Sequence, residues 1–178
     1  MKTILSLLLS ATCFGAPLEQ IANSLDSRKE EEKSKGVALL KATIDDKNLP
    51  NETRLGAVRL SMEKNVHECS GMIIKYIDQG WVRIKSPMSV EQSYPCVEAL
   101  IAFGDKSVPP LIEALKTEDN ELRRRLMSYS LRRILKKPQA LAYLDKLIGE
   151  EIPAAEKRRL EAAKAQISKW SDYESLEK

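Results

Sequence analysis

The residues best equipped for chemistry in this chain sit on one predicted helix: Arg125, Tyr129, Arg132, Arg133 and Lys136. On a helical wheel Leu126, Met127, Leu131 and Ile134 define a buried face. Arg125, Tyr129, Arg132 and Lys136 fall together away from it, with Arg133 beside them. A guanidinium grips a carboxylate, sulfate or phosphate with two parallel N–H bonds, and an aromatic ring between guanidiniums can stack a ring. The stripe is therefore a candidate site for an anionic ligand such as an acidic glycan, a lipid headgroup or a nucleic acid. The competing reading is a solvated face, because Arg and Lys suit exposed helix positions and Lys136-Lys137 suits a helix C-terminus.

Other reactive types are sparse. His67 is the sole histidine, beside Glu68 and Cys69 at the head of a predicted helix. Nucleophile–base systems lean on histidine, and zinc sites use His or several Cys at characteristic spacings. His67, Cys69 and Cys96 match no such spacing, so no metal is expected and His67 reads as an exposed helix-start residue. The paired carboxylates Asp45-Asp46, Glu118-Asp119 and Glu150-Glu151 fall at predicted helix ends and turns, where capping and the helix dipole favour them. The chain contains no Gly-rich phosphate loop, HExxH or G-x-S-x-G motif. The expectation is a non-enzymatic protein without a cofactor.

The elements that hold these residues follow from punctuation and period. Residues 1–15 carry one Lys, an apolar run from Ile4 to about Leu9, and then small residues, the layout of a secretory signal peptide. Cleavage is placed after Gly15 rather than Ala16, since Pro17 directly after the cut is unfavourable. The minor alternative is lipid anchoring at Cys13, although Ser10 and Thr12 stand where a lipobox wants Leu and a small Gly or Ala. The expected location is secreted or periplasmic, with no transmembrane segment in the mature chain. Residues 16–178 are one domain's worth of sequence. Their charge is nearly balanced, 28 basic against 26 acidic side chains, which argues against nucleic-acid binding by field alone. Its placement is uneven: residues 120–178 hold 14 basic and 9 acidic side chains.

Seven of the eight prolines (Pro17, Pro50, Pro87, Pro109, Pro110, Pro138 and Pro153) stand where an apolar-periodic segment starts or stops. Gly80, Gly104 and Gly149 lie just past such segments, where a left-handed cap is cheap. In "FGDKSVPPLIEAL", residues 103–115, Gly104 ends one helix, Ser107 or Asp105 caps the next, and two prolines fill its first turn. So short a loop predicts antiparallel neighbours. Val108, Leu111, Ile112 and Leu115 keep helical spacing, as do Val97, Leu100 and Ile101, then Leu122, Leu126, Leu131 and Ile134, then Leu160, Ala163, Ile167 and Trp170. Alternation of period two occurs only at Trp81–Lys85, too briefly for a sheet. Helices are predicted over 17–25, 28–45, 51–64, 66–79, 89–103, 107–117, 120–136, 138–149 and 153–172. The dense mixed-charge run Asp26–Lys35 reads as an exposed helix face with i,i+4 pairing. Cys69 and Cys96 fall on core faces of consecutive helices, either as a disulfide closing a 28-residue loop, worth roughly 3–4 kcal/mol, or as two buried thiols.

Segments beginning near Asn51, Val90, Asn120 and Ala154 recur at 39, 30 and 34 residues, the mark of a stacked array. The stretch "VEALIAFGDKSVPPLIEALKTEDNELRRRLMSYSLRRIL", residues 97–135, resembles a HEAT repeat of the short bacterial, PBS-lyase-like kind. The match is the A-x-x-L-x-x-hydrophobic-Gly helix end, the small turn, V-x-x-L-I-x-x-L, an acidic turn and an Arg-rich next helix. It covers the middle third well and extends to 51–79 and 138–170 by helix spacing alone. The resemblance implies an all-α fold, a right-handed α-α superhelix of about four antiparallel helix pairs. It also implies partner binding along a concave face, with catalysis rare. Two functions follow as expectations: a protein–protein adaptor for an unidentified protein partner, or recognition of an anionic ligand by the Arg125–Lys136 stripe.

Overall fold

The computed structural model describes residues 16–80 and 89–170. The signal-peptide reading of 1–15, Cys13 and the alternating stretch Trp81–Lys85 lie outside the described residues. Among the described residues the chain is all-α, with α1 Ala16–Leu25, α2 Glu30–Asp45, α3 Asn51–Glu63, α4 Ser70–Ile74, α5 Val90–Ser93, α6 Pro95–Ala102, α7 Val108–Thr117, α8 Glu121–Leu135, α9 Lys137–Gly149 and α10 Ala154–Lys169. Short 3₁₀ turns, His67–Cys69 and Gly104–Ser107, lead into α4 and α7.

Two predicted helices come out shorter than their apolar pattern suggests. The 66–79 segment is a 3₁₀ turn, the five-residue α4 and then turns. The 89–103 segment splits at Tyr94, which is extended (φ −126°, ψ 91°), because Pro95 opens α6 and disfavours helical geometry in the residue before it. Ser89 caps α5 in a reciprocal box: its hydroxyl accepts from the Gln92 amide at 3.2 Å, and its own N–H donates to Gln92 Oε1 at 3.0 Å.

Around Gly104 the expected joint forms, with one change. Gly104 takes the left-handed conformation at φ +59°, which L side chains adopt at a cost. The prolines stand in the first turn of α7. Neither Ser107 nor Asp105 caps that helix with its side chain: the 3₁₀ turn runs straight into α7, and Ser107 is buried with its hydroxyl 3.4 Å from that of Ser70. Gly80 and Gly149 do not use left-handed geometry. Gly149 ends α9 from within, and Lys136 instead carries the positive φ, +63°, at the joint between α8 and α9.

Helix neighbours fall into two rows. One runs α2, α4, α7, and the other runs α3, α6, α8. α1 packs on α2 and α3 at one end, while α9 and α10 close the other, α10 lying on α7, α8 and α9. α6 and α7, expected from their short loop to pack as antiparallel neighbours, instead meet mainly through the 3₁₀ turn that joins them, each packing along its own row. The core between the rows is continuous from Ile21 to Trp170. Leu40, Ile44, Leu55, Ile73, Leu100, Leu111, Leu115, Leu126, Met127, Leu131 and Leu144 are all under 2 % exposed. The α7 stripe is buried as its spacing predicts, and so are Leu160, Ala163, Ile167 and Trp170. Leu122 departs from its stripe and is 44 % exposed. At Gly36 an added Cβ would sit 3.1 Å from the side chain and backbone of Leu25, so α1 approaches α2 closely there.

Three arginines tie neighbouring helices together by closing their C-termini. The last carbonyls of a helix lack intrahelical partners and carry the negative end of its dipole. Arg54 of α3 donates from Nε to the Ile44 carbonyl at the end of α2, at 3.1 Å. Arg123 of α8 donates to the Lys75 and Ile74 carbonyls at the end of α4, at 2.8 and 3.2 Å. Arg159 of α10 donates to the Lys116 carbonyl near the end of α7, at 3.2 Å. All three receiving helices belong to one row.

Candidate functional site

The five residues of the α8 stripe do not share one solvated face. Tyr129 and Arg132 are buried, at 7 % and 8 % exposure; Arg125 is half-buried, and Arg133 and Lys136 are exposed. The wheel assumed one covered side, but α8 packs on α6, α7, α9 and α10. Tyr129 donates its hydroxyl to Glu91 Oε1 of α5 at 2.7 Å and meets the Trp170 ring edge-on, centroids 6.0 Å apart. Arg133 lies over the Tyr129 ring at 6.0 Å, with its Nε 3.3 Å from the same Glu91 oxygen. Burial and the bond to Glu91 push the Tyr129 phenol up to about 12. Burial raises the Glu91 carboxyl too, but the Tyr129 hydroxyl and Arg133 outweigh it and hold it low. This cluster ties α5 and Trp170, the residue after α10, to α8. Arg125 has no hydrogen-bond or ion-pair partner among the described residues.

Cys69 and Cys96 are free thiols at 0 % exposure, so the bridge weighed from the sequence is not formed. Each packs into the core from its own element, Cys69 from the 3₁₀ turn before α4 and Cys96 from the first turn of α6. Burial pushes their thiols up to about 11 and about 12, far from nucleophilic readiness at neutral pH. His67 stands at the start of its 3₁₀ turn, its side chain 38 % exposed and 3.8 Å from Glu68. No group of three or more His, Cys, Asp or Glu able to hold a metal occurs among the described residues. No described helix is long and apolar enough to cross a membrane.

The turn carboxylates Asp45 and Glu118 have structural partners. Asp45 accepts from the Tyr76 hydroxyl at 2.9 Å, which is the main influence lowering its pKa. Arg54 lies 4.0 Å from the centroid of the same Tyr76 ring, with one buried guanidinium nitrogen unbonded. Glu118 accepts from the Asn120 amide at 2.9 Å and from Arg123 Nε at 2.7 Å, while the Asn120 side chain caps α8 by accepting from the Arg123 amide at 3.1 Å.

A concentration of donors lies on residues outside the α8 stripe. A cleft of about 320 Å³ opens between α8 and α10, lined by Asp119, Arg124, Ala155, Arg158, Arg159 and Ala162. On α10 the positions 155, 158, 159 and 162 follow i, i+3, i+4, i+7, one helical face with alanines at its ends. Arg159 is committed: both its outer nitrogens and Nε are engaged, two of them on Asp119 at 2.7 and 3.1 Å. That grip holds the Asp119 carboxyl below its ordinary range and raises Arg159. Arg124 reaches the Glu118 and Asp119 carbonyls only at 3.4 Å each, and its buried Nε has no partner. Arg158 is exposed and unpaired among the described residues. Three guanidiniums therefore face one carboxylate. The sequence signal was present as two basic runs, Arg123-Arg124-Arg125 and Lys157-Arg158-Arg159, but nothing local says that they converge. Such an arrangement can hold an anion; it offers no acid–base pair. No known protein family, characterised protein or solved structure matches this chain.

Proposed function

We propose that this chain is an exported, non-enzymatic HEAT-like scaffold that binds a protein partner. In this reading about four antiparallel helix pairs stack as a right-handed α-α superhelix, and the partner lies along an outer face of one row. The observation that supports it is the two-row order of the helices, α2–α4–α7 beside α3–α6–α8, with an arginine from a neighbouring helix closing each C-terminus of the first row. Successive pairs that bury one face against the next leave their outer faces free for a partner. Leu122 on α8 and Tyr143 on α9, which caps the end of the rows, are the large apolar side chains exposed among the described residues and mark candidate contact points.

The test is capture from the envelope fraction with photo-crosslinkers installed at 122 and 143. A discrete partner, retained in high salt and lost on Leu122→Glu or Tyr143→Glu, supports the reading. Failure of both positions to crosslink any protein above the level of a surface control position would sink it. The second reading, recognition of an anion, draws no support from the stripe, where Tyr129 and Arg132 are covered. It draws support from the Arg124–Arg158–Arg159 cleft.

A further inference from the structure

We propose that the cleft between α8 and α10 is a binding site for a phosphate group, the dianion of a phosphate monoester. The site is separate from the scaffold reading and does not depend on it.

Charge is the first argument. The lining carries three arginines and one aspartate, a surplus of two positive charges around one small opening. Like charges held together repel, and Asp119, which grips Arg159 and also acts on Arg124 through space, offsets one of the three positive charges. Other acids nearby are engaged or set back: Glu118 is bonded to Arg123, and Glu156 on the same helix acts on Arg159 and Lys116 without bonding to either. A dianion brings the lining to neutrality.

Unsatisfied donors are the second argument. Arg124 Nε is buried with no acceptor, and a buried donor left without a partner is destabilising. The outer nitrogen Nη1 of the same side chain makes only long contacts of 3.4 Å to main-chain carbonyls. Arg158, one position before Arg159, contributes a whole unbonded fork at the mouth. An oxyanion in the opening would accept from the Arg158 fork and from the outer nitrogens of Arg124, while the covered Arg124 Nε joins only after a small shift of that side chain.

Shape and rigidity are the third. Arg159 is clamped by Asp119 and by the Lys116 carbonyl, so one wall is pre-set before any ligand arrives. The alanines at 155 and 162 keep the cleft open. At about 320 Å³ the space lies at the small end of ligand pockets, suited to a headgroup rather than a large apolar body. A carboxylate fits less well: it takes one guanidinium fork, and Asp119 already supplies that to Arg159. The remaining donors come from two helices and call for three or four oxygens around one centre.

The experiment uses the full chain at constant ionic strength, titrated with phosphoserine, inorganic phosphate and chloride. It is followed by thermal shift and by the Arg124 Nε–H resonance in ¹⁵N spectra. The expected result is a rise in melting temperature with phosphoserine and phosphate that chloride does not give, together with a shift of the Arg124 Nε–H signal. Arg158→Ala should weaken binding about tenfold or more, the loss of one charge-assisted contact. Lys157→Ala, the same charge change just outside the lining, should leave it unchanged. Vesicles of phosphatidylcholine with and without phosphatidic acid form a second arm. Binding only to the acidic vesicles, lost in Arg158→Ala, assigns the phosphate to a lipid; phosphoserine binding without vesicle binding assigns it to a soluble monoester. Equal weakening by Arg158→Ala and Lys157→Ala, or phosphate no better than chloride with an unmoved Arg124 signal, overturns the site. Partner capture at 122 and 143 is read separately, so either proposal can fail alone.

Discussion

Arg123 offers the sharpest test of how the two rows are held together. Its guanidinium makes four contacts: Glu118 at 2.7 Å, the Lys75 carbonyl at 2.8 Å, Asp78 at 2.9 Å and the Ile74 carbonyl at 3.2 Å. Truncation in Arg123→Ala removes all of them at once. Glu118 is only 16 % exposed, so its charge-assisted bond carries the largest share, about 1.5–3 kcal/mol. Asp78 is 35 % exposed and contributes at most about 0.5 kcal/mol after solvent screening. The two carbonyls at the end of α4 add about 0.5–1 kcal/mol, because water replaces the lost donor at Lys75 more easily than at buried Ile74. The expected loss is about 2–4.5 kcal/mol, measured by urea unfolding followed by circular dichroism. Arg123→Lys, which keeps the charge but not the fork, should fall between. The same measurement against pH isolates the Glu118 part. Burial raises that carboxyl, yet the hydrogen bond from Arg123 and the Asn120 amide bring it below its ordinary value. A depressed folded pKa means the stabilisation is complete above the unfolded value and disappears as pH falls through the folded one. The gap between wild type and Arg123→Ala should therefore be full above the ordinary glutamate value of about 4.3 and narrow as pH falls below it through the lower folded value. A loss below about 0.5 kcal/mol, the scatter of ordinary surface substitutions, would refute the reasoning, as would a gap that ignores acid.

Three further outcomes are expected. Tyr129→Phe should cost about 1 kcal/mol through the lost bond to Glu91. Because the folded phenol is raised to about 12, that stabilisation is intact below the unfolded value near pH 10 and is lost as pH climbs towards about 12, which ultraviolet titration of the phenolate can follow. Cys69 and Cys96 should resist alkylation in the native protein and react on unfolding, read by peptide mass spectrometry, and reducing agents should leave the melting temperature unmoved; a shift with reductant would show a bridge. Lys136→Gly should raise stability by about 1 kcal/mol, since φ +63° with ψ 155° is a conformation suited to glycine; a loss in thermal unfolding would mean the lysine side chain contributes more than the strain costs.

Secondary structure in this chain is a local matter, and it was legible. Helical spacing at Val108, Leu111, Ile112 and Leu115 is a property of neighbours on one turn, as are the prolines behind Gly104, and each ended where the pattern put it. The split at Tyr94 was also written locally, in Pro95, and was outvoted by the apolar run across it. The α8 stripe failed for the opposite reason. A wheel knows one helix, and whether Tyr129 faces water depends on α5 and Trp170, contributed from 38 and 41 residues away in the chain.

The arginine contacts divide in the same way. Their types and positions near helix starts were visible in the sequence, but their acceptors were not: Arg123 reaches carbonyls 48 and 49 residues upstream, and Arg159 reaches 43. The sequence by itself determined the helices of the described residues, several of their joints and most of their core. Only the tertiary structure decided which charges are spent closing helix ends and which, at Arg124 and Arg158, are left facing a shared opening. Periodicity is carried by covalent neighbours along the backbone, whereas the fate of a long charged side chain is set by whatever the packing of distant helices brings within its reach.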